Sequence, residues 1–251
     1  MVENCHSCIR GKIQLIGVDS KNKTQMKKQD FIFFGAFILL FLPFFLNNDV
    51  YGFYKSFNHG HGMLMAFIKF SILATLGELI GLRIKTGQYF QKGFGVLPRA
   101  IVWGFIGLTI KLAFIIFASG TPVFLGYLGL EEASTAMKGG FGLPKLIVAF
   151  STSVAMNIIY APVMMTFHKV SDIHIVSNGG TLRGFLTPMR PGEILSEMNW
   201  PIMWGFVFKK TIPLFWVPAH TITFLLPPDM QILFAALLGI ALGTILAVAG
   251  K

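Results

Sequence analysis

Residues 100–119 read AIVWGFIGLTIKLAFIIFAS, twenty positions with one charge, Lys111. As an α-helix this segment rises about 30 Å, the thickness of a bilayer's hydrocarbon core. Five further apolar stretches surround it. Residues 31–46, 146–167 and 230–250 carry no charge, 62–82 contains Lys69 and Glu78, and 201–226 contains Lys209 and Lys210. The whole chain shows the same bias. Of its 251 residues 54% are hydrophobic and only 13% are charged, with a mean hydropathy of +0.66. Soluble domains carry about 25% charge, so the composition argues against a water-soluble fold. It argues equally against disorder, which needs low hydrophobicity. With 26 Phe and 12 Pro the chain is no coiled coil. The expected fold is all-α, a polytopic membrane bundle of about six transmembrane helices, with spans near 31–46, 62–82, 100–119, 146–167, 205–226 and 230–250.

Charge placement orients the bundle. A polar, basic tail (1–29) precedes a transmembrane domain (30–251), and Asn47-Asn48-Asp49 makes a poor signal-cleavage site. With the tail cytoplasmic, fourteen Lys and Arg fall in the tail, near Arg83–Arg99, in the 169–199 loop and at Lys251. Lys55, Lys138 and Lys145 fall outside. That asymmetry predicts cytoplasmic termini at both ends. Two adjacent lysines are costly in the core, so Lys209-Lys210 are read as the edge of a fifth span starting at Thr211. Val123–Leu130 is too short to span and reads as re-entrant or interfacial. Glu193–Met198 reads as a short amphipathic helix on the membrane surface. The net charge of +10 lies between apolar runs, so no nucleic-acid partner is expected.

Chemistry-bearing residues are few. Glu78 is the one acid inside the six stretches, and an intramembrane carboxylate is either functional or a structural polar contact. Ser71, Thr75 and Glu78 fall on one helical face. Lys111 shares a face with Gly104 and Gly107, and Glu78 on the neighbouring helix is its expected partner. The structural alternative for Glu78 is Arg83. Lys69 is expected to snorkel outward without a partner. Ser153 and Asn157 share a face one turn before Pro162. In the last stretch Ala235, Gly239, Gly243 and Ala247 form a small-residue stripe, suited to helix packing or to a homo-oligomer through Gly239 and Gly243. Cys5 and Cys8 are half a metal site at best, and His59 and His61 are a weak pair of ligands. No P-loop, dinucleotide fingerprint, GxSxG or HExxH is present, so neither catalysis nor a cofactor is expected.

Trp216-Val217-Pro218-Ala219-His220-Thr221-Ile222-Thr223-Phe224, followed by Pro228, resembles the signature of the Mpv-seventeen/PMP-twenty-two family of peroxisomal and mitochondrial inner-membrane proteins. Trp216, Phe224 and Pro228 keep the signature's spacing, while His220 stands in its Gln position and Thr223 in its Asn position. Leu76-Gly77-Glu78 is similar to the family's Leu-Gly-Asp. Met156-Asn157 with Ala161-Pro162 is similar to its Asp-Gln and Ala-Pro element. The extra first span and basic tail set this chain apart as a distant, bacterial branch. The resemblance implies a membrane pore or channel, in a bacterial plasma membrane or alternatively an organelle membrane. The expected function is passage of small solutes or ions along Glu78, Lys111, Asn157 and His220, with His220 as a titrating gate. The alternative is a non-transporting scaffold that binds a partner through the tail and the 169–199 loop.

Overall fold

The computed structural model describes residues 27–249, and every regular element among them is helical. In chain order these are α1 (Lys28–Leu46), α2 (Asn48–Gly60), α3 (Gly62–Thr86), α4 (Val96–Tyr127), α5 (Ala133–Ala136), α6 (Leu143–Ile159), α7 (Ala161–Ser177), α8 (Leu182–Phe185), α9 (Pro191–Glu197) and α10 (Trp200–Ile202). A π-helix (Met203–Trp216), α11 (Val217–Leu225) and α12 (Pro228–Ala249) complete the fold. Four helices are long and apolar enough to cross a bilayer: α1, α3, α4 and α12. The pair α6–α7, bent by 44°, makes a fifth span if taken as one rod. The bend falls where Pro162, at the start of α7, has no N–H to continue the ladder. The 205–226 segment is divided between the π-helix and α11.

The bundle's outer surface is apolar. Phe105, Ile115, Phe150, Ile158 and Leu214 are all more than half exposed. A water-soluble surface rarely carries so continuous an apolar area, whereas acyl chains impose no cost on it. The core joins α3, α4, α6, α11 and α12 around Phe70, Ile106, Phe114, Ala149, Met156, Phe224 and Ala236.

Helix α3 sits between α4 and α12, and small residues set both distances. A Cβ on Gly77 would lie 2.9 Å from Ile240 Cα and 3.2 Å from the Gly239 carbonyl oxygen. One on Gly243 would lie 3.1 Å from the Gly77 oxygen. The small-residue stripe expected to serve helix packing or a homo-oligomer is thus packed within the chain, holding α12 on α3. On the other face, a Cβ on Gly107 would meet the Ala66 oxygen at 2.7 Å.

Other expectations change at the ends of elements. Val123–Tyr127 is no separate re-entrant piece. It continues α4, whose 32 residues rise about 48 Å, so the helix projects beyond a core of about 30 Å. The amphipathic helix expected at Glu193–Met198 is α9. Lys209 and Lys210 are exposed in the π-helix, away from the buried core. Arg83 does not face Glu78: its Nε and Nη2 donate to Asp30 at 2.8 and 2.6 Å, and Tyr89 Oη donates to the same carboxylate at 2.9 Å. This cluster ties the otherwise exposed α1 to the base of α3. Lys69 does not snorkel unpartnered. It is buried, donates to Asn58 Oδ1 at 2.6 Å and faces the Tyr54 ring.

Two predictions follow from these contacts. Gly77→Ala forces backbone apart and costs about 1–3 kcal/mol, whereas Gly35, with nothing within 4 Å of its Cβ position, accepts Ala without loss. Thermal unfolding in detergent distinguishes the two, and equal behaviour would refute the α3–α12 contact. Burial, then the Asp30 hydrogen bond, pushes the Tyr89 phenol from its ordinary 10 up to about 12. A raised pKa favours the neutral phenol, so its stabilisation is full below pH 10 and disappears as pH rises through about 12. Stability measured across that window falls more steeply in the wild type than in Tyr89→Phe.

Candidate functional site

Arg99 is the centre of the charged network. It lies one turn into α4, after Gly95, whose φ of +77° only glycine accepts readily. A Cβ there would meet Ile175 Cγ2 at 2.5 Å, so the turn is pressed onto α7 and Arg99 faces that helix. Its Nε donates to the Phe94 carbonyl at 2.7 Å and its guanidinium lies over the Phe94 ring. Nη1 donates to Glu78 Oε2 at 2.6 Å, and Nη2 pairs with Asp172. The other Glu78 oxygen accepts from Trp103 Nε1 at 2.9 Å and lies 3.0 Å from His168 Nε2. Lys169 completes the set, 3.3 Å from Asp172. Three helices thus meet on one buried cation whose charge is answered twice, as a low-dielectric site requires.

This network forms one end of a cavity of about 510 Å³. Lys85 and Lys169 stand at its charged end, and Tyr160, Met164 and Gly239 line its walls. Deeper in lie Asn157 and His220. Asn157 Nδ2 donates to the Ser153 carbonyl at 2.9 Å and sits 3.0 Å from His220 Nδ1, while Ser153 Oγ donates to the Val217 carbonyl at 2.7 Å. The pairing of Ser153 with Asn157 on one face is therefore present. The His220 ring stacks on Trp216, with centroids 5.1 Å apart. The Trp216 N–H is buried without a partner among the described residues.

A second cavity, about 400 Å³, lies toward the other end of the bundle and is lined by Lys111, Lys145, Thr152 and Gln231. Between the two stand Phe114 and Phe224, 3% and 2% exposed, with ring centroids 4.9 Å apart. Phe114 also meets the His220 ring edge-on at 5.8 Å. Helices α4, α6, α11 and α12 each line both cavities in a consistent order, whereas α3 lines only the large one. On α4, Arg99 and Ile110 line the large cavity and Phe114 and Ala118 the small one. On α11, His220 lines the large cavity and Phe224 the small one. The shape is an hourglass with an aromatic waist.

Three of the four expected path residues, Glu78, Asn157 and His220, share the large cavity, and Lys111 lines the small one. The expected Glu78–Lys111 pair does not form. Lys111 Cε lies near Gly62 at the start of α3, sixteen residues or about 24 Å of helix from Glu78. Ser71 and Thr75 do not join Glu78 either, since both hydroxyls are buried without partners among the described residues. Of the signature-like residues, Gly77 packs on α12 and Pro162 starts α7, while those of the C-terminal hairpin lie around the waist. Trp216 and Phe224 are described above, Thr223 is fully buried with its hydroxyl on the Ala219 carbonyl, and Pro228 starts α12. Sequence reasoning missed His168 and Asp172 as partners, although their i, i+4 spacing puts them on one helical face. No group of three metal-ligating side chains occurs among the described residues. His59 and His61 are exposed, and Cys5 and Cys8 lie outside the described residues.

Comparison with protein-family models, with characterised proteins and with solved structures gives no match.

Removing one member of a buried ion pair costs about 3–5 kcal/mol. Glu78→Gln is expected to lose stability on that scale, and Glu78→Gln/Arg99→Gln less than the sum of the single losses. A double-mutant cycle on detergent-solubilised protein checks this, and additive losses would mean the two charges do not interact.

Proposed function

We infer that this chain is a six-span membrane protein with cytoplasmic termini that passes small solutes or ions through the hourglass. One observation carries the reading: two cavities with charged and polar side chains in their walls lie toward opposite ends of a lipid-compatible bundle, with the Phe114–Phe224–His220 cluster between them. Membrane proteins keep ionisable groups facing a water-filled space or one another, and hydrophobic constrictions gate such paths by excluding water. The geometry supports a closed state in which the ring cluster is the barrier. His220 is held by Asn157 and boxed between Trp216 and Phe114, a wedge in that barrier. The resemblance to the Mpv-seventeen/PMP-twenty-two family points to the same class. The sixth span in this reading is the π-helix with α11, and the lysine asymmetry sets the orientation.

Reconstituted liposomes test the proposal. Phe114→Ala/Phe224→Ala opens the waist and is expected to raise solute efflux at least about tenfold over the wild type, where an aromatic plug is the barrier. If both proteins leave vesicles tight to chloride, potassium and glycerol, the pore reading fails.

A further inference from the structure

We propose that the smaller cavity is a binding site for a small organic anion, a monocarboxylate with a short hydrocarbon body. Its walls carry two ammonium groups, Lys111 and Lys145, and no carboxylate. Lys111 is half-buried and has no ion-pair or hydrogen-bond partner among the described residues. Lys145 donates only to the Gly139 carbonyl, at 3.0 Å.

Lys145 is also in the first turn of α6, which has no acid there and no side-chain cap. A helix N-terminus carries about half a positive charge and favours anions, so a lysine there adds to charge of its own sign. Lys69, close enough to feel Lys111, adds a third cation to this end. The acid nearby is Asp229. It lies outside the cavity walls, in the first turn of α12, and its charge bears on Lys69 and Tyr54. Glu131 and Glu132 are exposed and line no part of the cavity. Two cations in the walls and an uncapped helix end beside them leave an excess of positive charge that one carboxylate would answer.

The remaining walls choose between anions. Phe114, Ile115, Ala118 and Phe224 give most of the lining a hydrocarbon surface. A halide would leave that surface against water, whereas an alkyl carboxylate covers it while its head meets the ammonium pair. The site does not depend on the cavities ever joining, because binding is read without any flux.

The test uses the full chain in a neutral detergent, with unfolding followed by tryptophan fluorescence. Saturating butyrate is expected to raise Tm by about 5 °C over the same concentration of chloride, and butyramide, its uncharged analogue, is expected to do nothing. Lys111→Met and Lys145→Gln should each abolish the butyrate shift. Without butyrate neither should melt below the wild type, since each removes a cation that has no anionic partner. The proposal is overturned if butyrate does no more than chloride, if butyramide matches it, or if either variant keeps the shift. It is equally overturned if the variants melt lower without butyrate. Anionic phospholipid that copurifies with the wild type but not with Lys111→Met would assign the ammonium pair to a lipid headgroup instead, and would also overturn it.

Discussion

A guanidinium inside an apolar bundle is tolerable only if fixed anions surround it, and Arg99 shows how much structure that condition organises. Its two carboxylates come from different helices, Glu78 on α3 and Asp172 on α7. Satisfying one cation therefore sets three helices against one another. The remaining lone pairs of Glu78 recruit Trp103 and His168. Such a cluster cannot be close-packed as hydrocarbon is, because its polar atoms need particular distances and directions. The large cavity adjoins it. Close packing resumes where glycine allows it, along the α3–α12 and α3–α4 seams.

How far the sequence disclosed this depends on which physical signal each residue carries. Span-length apolar runs are a local property, so the helices on 62–82, 100–119 and 230–250 could be read directly. Glu78 and Asn157 stand out in the sequence because a polar group in an apolar run is anomalous wherever it points, and His220 through the signature-like Trp216–Phe224 segment; all three line the large cavity. Partner choice was not legible. Depth along a helix can be counted, but the facing of neighbouring helices cannot, so Glu78 was matched to Lys111 when Arg99 was available at its own level. Arg99 was hidden because a basic residue beside a span reads as a headgroup anchor.

Asp30 was missed for a similar reason. It lies one residue before the first apolar run, at the boundary with the polar tail, and no partner is legible for it there, yet it is 5% exposed and takes hydrogen bonds from both Arg83 and Tyr89. The small-residue stripe of α12 was correctly read as a close-approach surface. What a stripe cannot announce is whether the approaching helix belongs to the same molecule, and here Gly77 on α3 occupies it. The π-helix left no periodic trace, since its Pro213 and paired lysines suggested an interrupted span instead.

Helix α1 has little of its length buried and is pinned mainly at the Asp30 end. Its 19 residues rise about 28 Å, slightly less than a typical hydrocarbon core. A rod fastened at its foot leans easily, so thinning or thickening of the surrounding bilayer is absorbed there as tilt. Between membranes of different composition, the slope of this first helix is the readiest degree of freedom the fold offers.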